Sequence, residues 1–577
     1  MNCSRIITKA FVVFFAACTW NALSSAKRPI AVVRWGDHIA VANRDSGSIS
    51  LLDIEAQTVT NEFPTAERID DMVGISNSWL AICDSANSEL KLLSYSQDGF
   101  KAEQTIDLPV QPVRIEVSPS RDFLAVSLLW AHQVALFDLK NEHDSVSLSN
   151  QRVIDLAFAP RELQFLPDRR LLVADAFGSR LAVVNVEKSK ISRTFKIPGH
   201  NIRGISLTVD DHEILITHQQ ANEFVPGTRN HVFWGNVVTN LLRRIPLHQI
   251  ESLQTNESTL HGFLFPLADQ NRGSGDPSAI LVSESNKQIV ALSGVNEIAV
   301  RVDRANSITR YKTGRRPIAV CETNRPETIV VANLFDDSLS IVDLEKEVID
   351  TISLGHSDLS SSQQGEALFY DATLSLDGWI SCNSCHPDGH TNGKLNDNLG
   401  DDDYGAPKRV ISLLGTGDSA PWAWNGSQHN LVDQVRKSLY LTMHGAREAV
   451  VLEEDVMSIT SYLRSLPHPP SISTARGTAN PSQIAIGKNI FTKNGCSECH
   501  GGTAYTSREK FEISLSDDTK TYVLNPPSLR GVSQRVRWLH DGRAVSLRDV
   551  FARHGHQNAN QLSEEELDSL LHFLNSL

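Results

Sequence analysis

Ile39-Ala-Val-Ala-Asn-Arg-Asp-Ser-Gly-Ser-Ile-Ser-Leu-Leu-Asp53 returns as Leu171-Leu-Val-Ala-Asp-Ala-Phe-Gly-Ser-Arg-Leu-Ala-Val-Val-Asn185 and again as Ile329-Val-Val-Ala-Asn-Leu-Phe-Asp-Asp-Ser-Leu-Ser-Ile-Val-Asp343. Weaker copies begin near Leu80, Leu124, Ile214 and Ile289, so the starts lie 40 to 47 residues apart except for one interval of 75. The long interval puts an insertion in the fifth unit, around Asn222–Gly275. Throughout residues 27–356 short β-strands alternate with turn residues. Seven units of this period predict a seven-bladed all-β propeller, one four-stranded blade per repeat. Arg-Pro-Ile-Ala-Val at Arg28–Val32 and again at Arg316–Val320 fits equivalent first and last blades. A β-sandwich pair or a β-helix would be the alternatives, and the period is too long for a β-helix coil.

The chemistry sits further on, in Cys382-Asn-Ser-Cys385-His386 and Cys496-Ser-Glu-Cys499-His500. In a Cys-x-x-Cys-His segment two thiols attach to the vinyl groups of a haem and the histidine becomes the proximal iron ligand. A redox dithiol or half of a zinc site fits poorly, because each pair is followed at once by His and the motif recurs 114 residues on. The expected cofactors are two covalently bound c-type haems, held by Cys382, Cys385, Cys496 and Cys499, with His386 and His500 on the metals.

Composition bounds the rest. The chain has 577 residues, 41% apolar and 21% charged, with room for several domains. Arg5 and Lys9 precede an apolar run from Ala10 to Cys18, and Ser24-Ser25-Ala26 offers a cleavage site. Residues 1–26 therefore read as a secretory signal peptide, predicting a periplasmic or otherwise exported protein. A lipoprotein anchor at Cys18 is the minor reading. Export suits covalent haem attachment and leaves Cys83 and Cys321, in apolar strand-like runs, as buried free thiols. The formal net charge of −14 argues against nucleic acid and anionic membrane as partners.

The C-terminal part reads as helical and duplicated. Gly365-x-x-Leu368-Phe369 and Gly487-x-x-Ile490-Phe491 each precede a Cys motif; Trp422-Ala-Trp424-Asn-Gly426 matches Trp538-Leu-His540-Asp-Gly542; Tyr462-Leu-Arg-Ser-Leu466 matches Phe573-Leu-Asn-Ser-Leu577. Leu466-Pro-His-Pro-Pro470 is a linker that no helix can cross. Two all-α cytochrome c-type domains are predicted, at 357–469 (haem 1) and 470–577 (haem 2).

The repeats resemble the YVTN family of propeller units. Gly365, the stretch Leu376–Gly389 around the first motif, Trp424-Asn-Gly426, Pro527-Ser-Leu-Arg530 and Leu539-His-Asp-Gly542 resemble the bacterial di-haem cytochrome c peroxidase and MauG-type family. The resemblance implies a peroxidase-like oxidoreductase in which the N-terminal haem meets hydrogen peroxide, or uses it to oxidise a substrate, while the C-terminal haem relays electrons. It implies a small redox protein, a cytochrome c or a cupredoxin, as donor, and admits calcium as a further cofactor. Trp424 occupies the position of the tryptophan between the haems, Gln434 is retained, and the second haem's sixth ligand, a Met in the peroxidases, corresponds to His554. The family's distal His is absent from the loop Asn398–Tyr404, and its catalytic Glu corresponds to His444.

The duplication aligns His444-Gly445 with His554-Gly555. Two iron-ligating histidines would make six-coordinate haems suited to electron transfer; a His444 standing off the iron would serve as acid/base. For His444, ligand, catalyst and bystander stay open. His540 reads as orienting a propionate or a neighbouring chain, with His390 and Tyr404 as lesser candidates near haem 1. Asp401–Asp403 reads as a solvated loop rather than a calcium site. The rival functions are a non-catalytic di-haem electron carrier, and a propeller module binding a protein or small molecule with haems as sensor or structure.

Overall fold

The computed structural model describes residues 26–142, 145–253, 256–303, 305, 307–398, 404–445, 452–513, 515, 522–557 and 562–577. Most of the leader and Asp401–Asp403 lie outside them. Among the described residues no helix is long and apolar enough to cross a membrane.

Seven antiparallel sheets, each of four consecutive main strands, form the N-terminal part. Their first strands are Pro29–Trp35, Ile69–Ser76, Pro112–Val117, Pro160–Phe165, His200–Leu207, Pro277–Val282 and Pro317–Glu322. These neighbour one another in a ring that closes where Pro29–Trp35 meets Pro317–Glu322. The repeat explains the stacking. Ile39 and Val41 pack against Val330, Ala332 and Ile341 of the seventh blade, whereas Ala40, Ala42 and Leu51 pack against Leu80 and Ile82 of the second. Both faces of the strand are buried, so the segment is apolar without alternation. Its polar residue clamps the turn: Asn43 Nδ2 donates to Ser48 Oγ and Ser50 Oγ at 3.0 and 2.9 Å. Asn333 repeats this with Ser338 and Ser340. At the same place in the fourth copy, Asp175 accepts from the backbone of Phe177 and Gly178.

The fifth unit carries its insertion as expected. Helix Arg229–Phe233 separates strands Glu213–Ala221 and Val238–Pro246, and Ser258–Thr259 adds a fifth, parallel strand to the fourth blade. Cys83 and Cys321 are free, and burial pushes both thiols up.

The C-terminal part contains the duplicated helix pairs. Helix Ser361–Phe369 crosses Glu453–Ser465 at Gly365, where a Cβ would stand 1.9 Å from the Ser458 carbonyl oxygen. Helix Pro481–Lys493 crosses Glu564–Leu574 at Gly487, 2.0 Å from that of Ser569. The rest is less helical than the all-α expectation. Long irregular segments connect the helices, with two ribbons, Leu395–Asn396 on Lys408–Arg409 and Phe511–Ile513 on Tyr522–Leu524. Residues 387–430 carry Gly and Pro at short intervals, which interrupts helical hydrogen bonding.

This part docks on one face of the propeller. Asp276, before the sixth blade, accepts hydrogen bonds from Ser381 Oγ (2.6 Å), Asn383 Nδ2 (3.0 Å) and Ser384 Oγ (2.9 Å). His200 Nε2 donates to the Ser384 carbonyl at 2.8 Å, and Gln219 donates to Ser384 Oγ. The two Arg-Pro-Ile-Ala-Val copies face helix Ser361–Phe369 and the residue that follows it: Arg28 pairs with Glu366, and the Arg316 guanidinium lies 3.7 Å from the Tyr370 ring centroid. Asp388, two residues past His386, pairs with Arg161 and Arg203. Burial would raise its carboxyl, but the two guanidiniums overcome this and hold it well below the usual range.

Gly365→Ala and Gly487→Ala should each lower the melting temperature. Alanine is the better helix former, yet overpacking against backbone costs about 1–3 kcal/mol; an unchanged or raised Tm would contradict the crossings. A depressed carboxyl gives stability that is complete above its ordinary pKa and lost as pH falls through the folded-state value. Asp388→Asn should therefore cost about 1–3 kcal/mol near neutrality and flatten the acid limb of a stability–pH curve below about pH 4. A parallel curve would remove Asp388 from the docking contact.

Candidate functional site

Each Cys-x-x-Cys segment is a single helical turn that ends on its histidine, Cys382–Cys385 before His386 and Cys496–Cys499 before His500. The geometry brings both thiols and the imidazole of each motif to the wall of one cavity. The first cavity is lined by Cys382, Cys385, His386, Trp422, Gln434 and Met443, among others. The second is lined by Cys496, Cys499, His500, Trp538, Phe551 and His556.

Burial pushes the Cys382 and Cys385 thiols up to about 12 and about 11, and both His386 and His500 down to about 4. Thiols so buried are poorly placed for fast disulfide exchange, which needs a thiolate. Among the described residues there is no group of three or more His, Cys, Asp or Glu arranged to hold a metal ion. His500 Nδ1 donates to the Tyr505 carbonyl at 3.3 Å, which leaves Nε2 as the nitrogen with a lone pair.

The cavities share a wall. Arg409, Trp424, Asn525, Pro527 and Arg535 line both. Trp424 Nε1 donates to the Arg409 carbonyl at 2.8 Å, the Arg409 guanidinium lies 5.3 Å from the Trp424 ring centroid, and the Trp424 carbonyl accepts from Asn525 N. Burial pushes Arg409 down to about 9, with Arg535 contributing, and Arg535 down to about 10; no carboxylate among the described residues offsets either. Two cations turned inward without counter-charge call for an anionic guest. Gln434 Oε1 and Trp538 Nε1 are buried without partners in the same walls. Paired thiols, a neutral imidazole, aromatic walls and unpaired guanidiniums together fit a haem, whose vinyl groups, iron and propionates they match in kind.

The predicted residues divide. Trp424 stands between the cavities, and its ring meets His540 edge-on at 6.4 Å. Gln434 lines the first cavity and donates to Ser438 Oγ. His444 does not line it: in a left-handed backbone conformation (φ 49°), it turns Nε2 to the propeller's Gly227 carbonyl at 2.7 Å, while Met443 reaches the cavity beside Cys382. His554 is buried with Nε2 3.6 Å from an Asp549 carboxylate oxygen and does not line the second cavity, whereas His556 does. His390 is buried between Ser412 and the Gln534 carbonyl, against Trp130 and Phe177 of the propeller. Tyr404 reaches toward the Gly227 carbonyl. Arg409, Arg535 and Asp276 were not visible as site residues, because unpaired burial and a contact between distant segments leave no local pattern.

Residues 360–467 match the model of the di-haem cytochrome c peroxidase family, a match that takes in the first motif and ends before the second. The cytochrome c551 peroxidase of Nitrosomonas europaea is 23% identical over 267 residues, covering 37% of this chain and 79% of that protein. The cytochrome c551 peroxidase of Pseudomonas aeruginosa is 25% identical over 267 residues, covering 37% and 77%. The methylamine utilization protein MauG of Methylorubrum extorquens is 23% identical over 270 residues, covering 37% and 76%. Residues 360–467 are thus a domain of the di-haem cytochrome c peroxidase type, carried behind a seven-bladed propeller.

Proposed function

We propose that this chain is an exported di-haem c-type oxidoreductase that reduces hydrogen peroxide, or spends it on oxidising a substrate, with electrons delivered by a small redox protein and relayed through the C-terminal haem. The observation that carries this reading is the common wall: two Cys-x-x-Cys-His cavities meet at Trp424, Arg409 and Arg535. Cys382, Cys385 and His386 would hold the first haem, Cys496, Cys499 and His500 the second, and Arg409 and Arg535 their propionates. The haems, when bound, supply the redox chemistry.

The chain's own residues then have defined work. Peroxide reduction takes two electrons and two protons and yields two waters. Gln434 Oε1, an acceptor without a partner in the first cavity, would take a hydrogen bond from the peroxide and orient it. Trp424 would carry electron transfer between the cavities. His444, in acid/base work, would have to leave Gly227 first; in the arrangement seen it ties this loop to the propeller. The propeller would serve foremost as the seat of the first haem segment, through Asp276 and His200.

The test is peroxide turnover by the full-length protein carrying both haems, with reduced cytochrome as donor. Trp424→Phe should slow turnover while haem content stays unchanged. Gln434→Ala should lower it about 2–10-fold, the worth of a neutral hydrogen bond of about 0.5–1.5 kcal/mol. His444→Ala should cost less than the 10²–10⁴-fold of a positioned acid/base. No turnover in the parent protein, with both haems present and reducible, would favour the electron carrier.

A further inference from the structure

We infer that His556 is the second axial ligand of the haem held by Cys496, Cys499 and His500, making it a bis-imidazole centre closed to peroxide. This rests on the reading that those three residues hold a haem. The His500 and His556 ring centroids are 6.5 Å apart, and both rings line the second cavity. Two imidazoles on opposite sides of one metal ion need metal–nitrogen bonds of about 2.0–2.1 Å each plus about 1.1 Å from nitrogen to centroid on either side, roughly 6.3 Å in all. The observed centroid separation of 6.5 Å matches that span.

Local structure explains why His556, and not His554, arrives there. Helix Leu547–Ala552 ends with Gly555 N donating to the Phe551 carbonyl at 3.1 Å, and Gly555 takes φ 61°. That left-handed residue turns the chain after His554, whose ring stays beside Asp549. His556 is carried to the cavity side, its ring 6.3 Å from Phe551. The next residue confirms the direction of the chain: Gln557 Nε2 lies 4.0 Å from Cys499 Sγ, over the attachment motif. On the opposite side His500 is fixed by Tyr505, so each imidazole has its own backbone support. A bis-imidazole iron has a lower potential than one with a methionine ligand, which suits a relay that must give electrons up.

Full-length protein with both haems is measured in the oxidised state by electron paramagnetic resonance and near-infrared spectroscopy. Haem 2 is identified as the signal lost in Cys496→Ala/Cys499→Ala. The parent should give a low-spin bis-imidazole signature for that haem. His556→Ala should abolish it, converting that haem to a high-spin form that added imidazole returns to low spin. His556→Met should stay low-spin at a higher potential, and His554→Ala should leave spin state and near-infrared band unchanged. Persistence of the low-spin signature in His556→Ala, or its loss in His554→Ala, overturns the assignment. If His556→Ala does not fold, a methionine-type near-infrared band in the parent that disappears in Cys496→Ala/Cys499→Ala overturns it equally. If the double cysteine variant keeps both haems, the attachment reading fails, and the assignment with it.

Discussion

The carboxylate of Asp276 is the contact on which the arrangement of the two halves turns. One propeller side chain accepts three hydrogen bonds from Ser381, Asn383 and Ser384, and Asp276 and these three residues are all nearly inaccessible to water. Buried polar groups in such numbers are tolerable only when paired with one another, so the motif turn is specified in position as well as in conformation. Asp388 and its two arginines fix the chain on the far side of His386. The first motif is therefore gripped from both ends by blades that sequence places more than a hundred residues away. Around the second motif, Gln534 on His132, Arg476 on the 131–132 backbone and Arg537 on Glu223 tie the chain to the propeller.

A second consequence concerns charge. Arg409 and Arg535 are turned inward at the wall between the cavities, with backbone carbonyls as their only close partners among the described residues. Apolar burial of two cations costs stability unless an anion joins them. A pair of haem propionates is the matching guest, and its binding would stabilise the fold by linkage as well as complete the site. Trp424 lies across Arg409 at this wall, which places an aromatic ring where electrons would pass between the two centres.

Much of the architecture was legible because repetition was legible. The segment Ile39–Asp53 and its copies encode strands buried on both faces with an Asn or Asp clamp at the turn, and the interval of 75 residues marked the inserted helix. Gly365 and Gly487 were readable as equivalent and prove to be the helix crossings. Repetition said less about which side chains reach the cavities. His444-Gly445 and His554-Gly555 align, but the chain around them turns differently, and the residues at the cavities are Met443 on one side and His556 on the other. Backbone direction after a left-handed residue is a three-dimensional property that pairwise spacing does not carry. The irregular segments between the helices escaped the all-α reading for the same reason: their frequent Gly and Pro mark where helices stop, not what replaces them.

The central claim is that one chain holds two haems by thioether bonds, one at each end of a common wall. The mass of the intact, denatured protein tests it most directly. The account predicts a mass equal to the polypeptide plus two haems, falling by one haem in Cys382→Ala/Cys385→Ala and by one in Cys496→Ala/Cys499→Ala. A chain that carries no haem after denaturation, or that loses both with either pair, would contradict it.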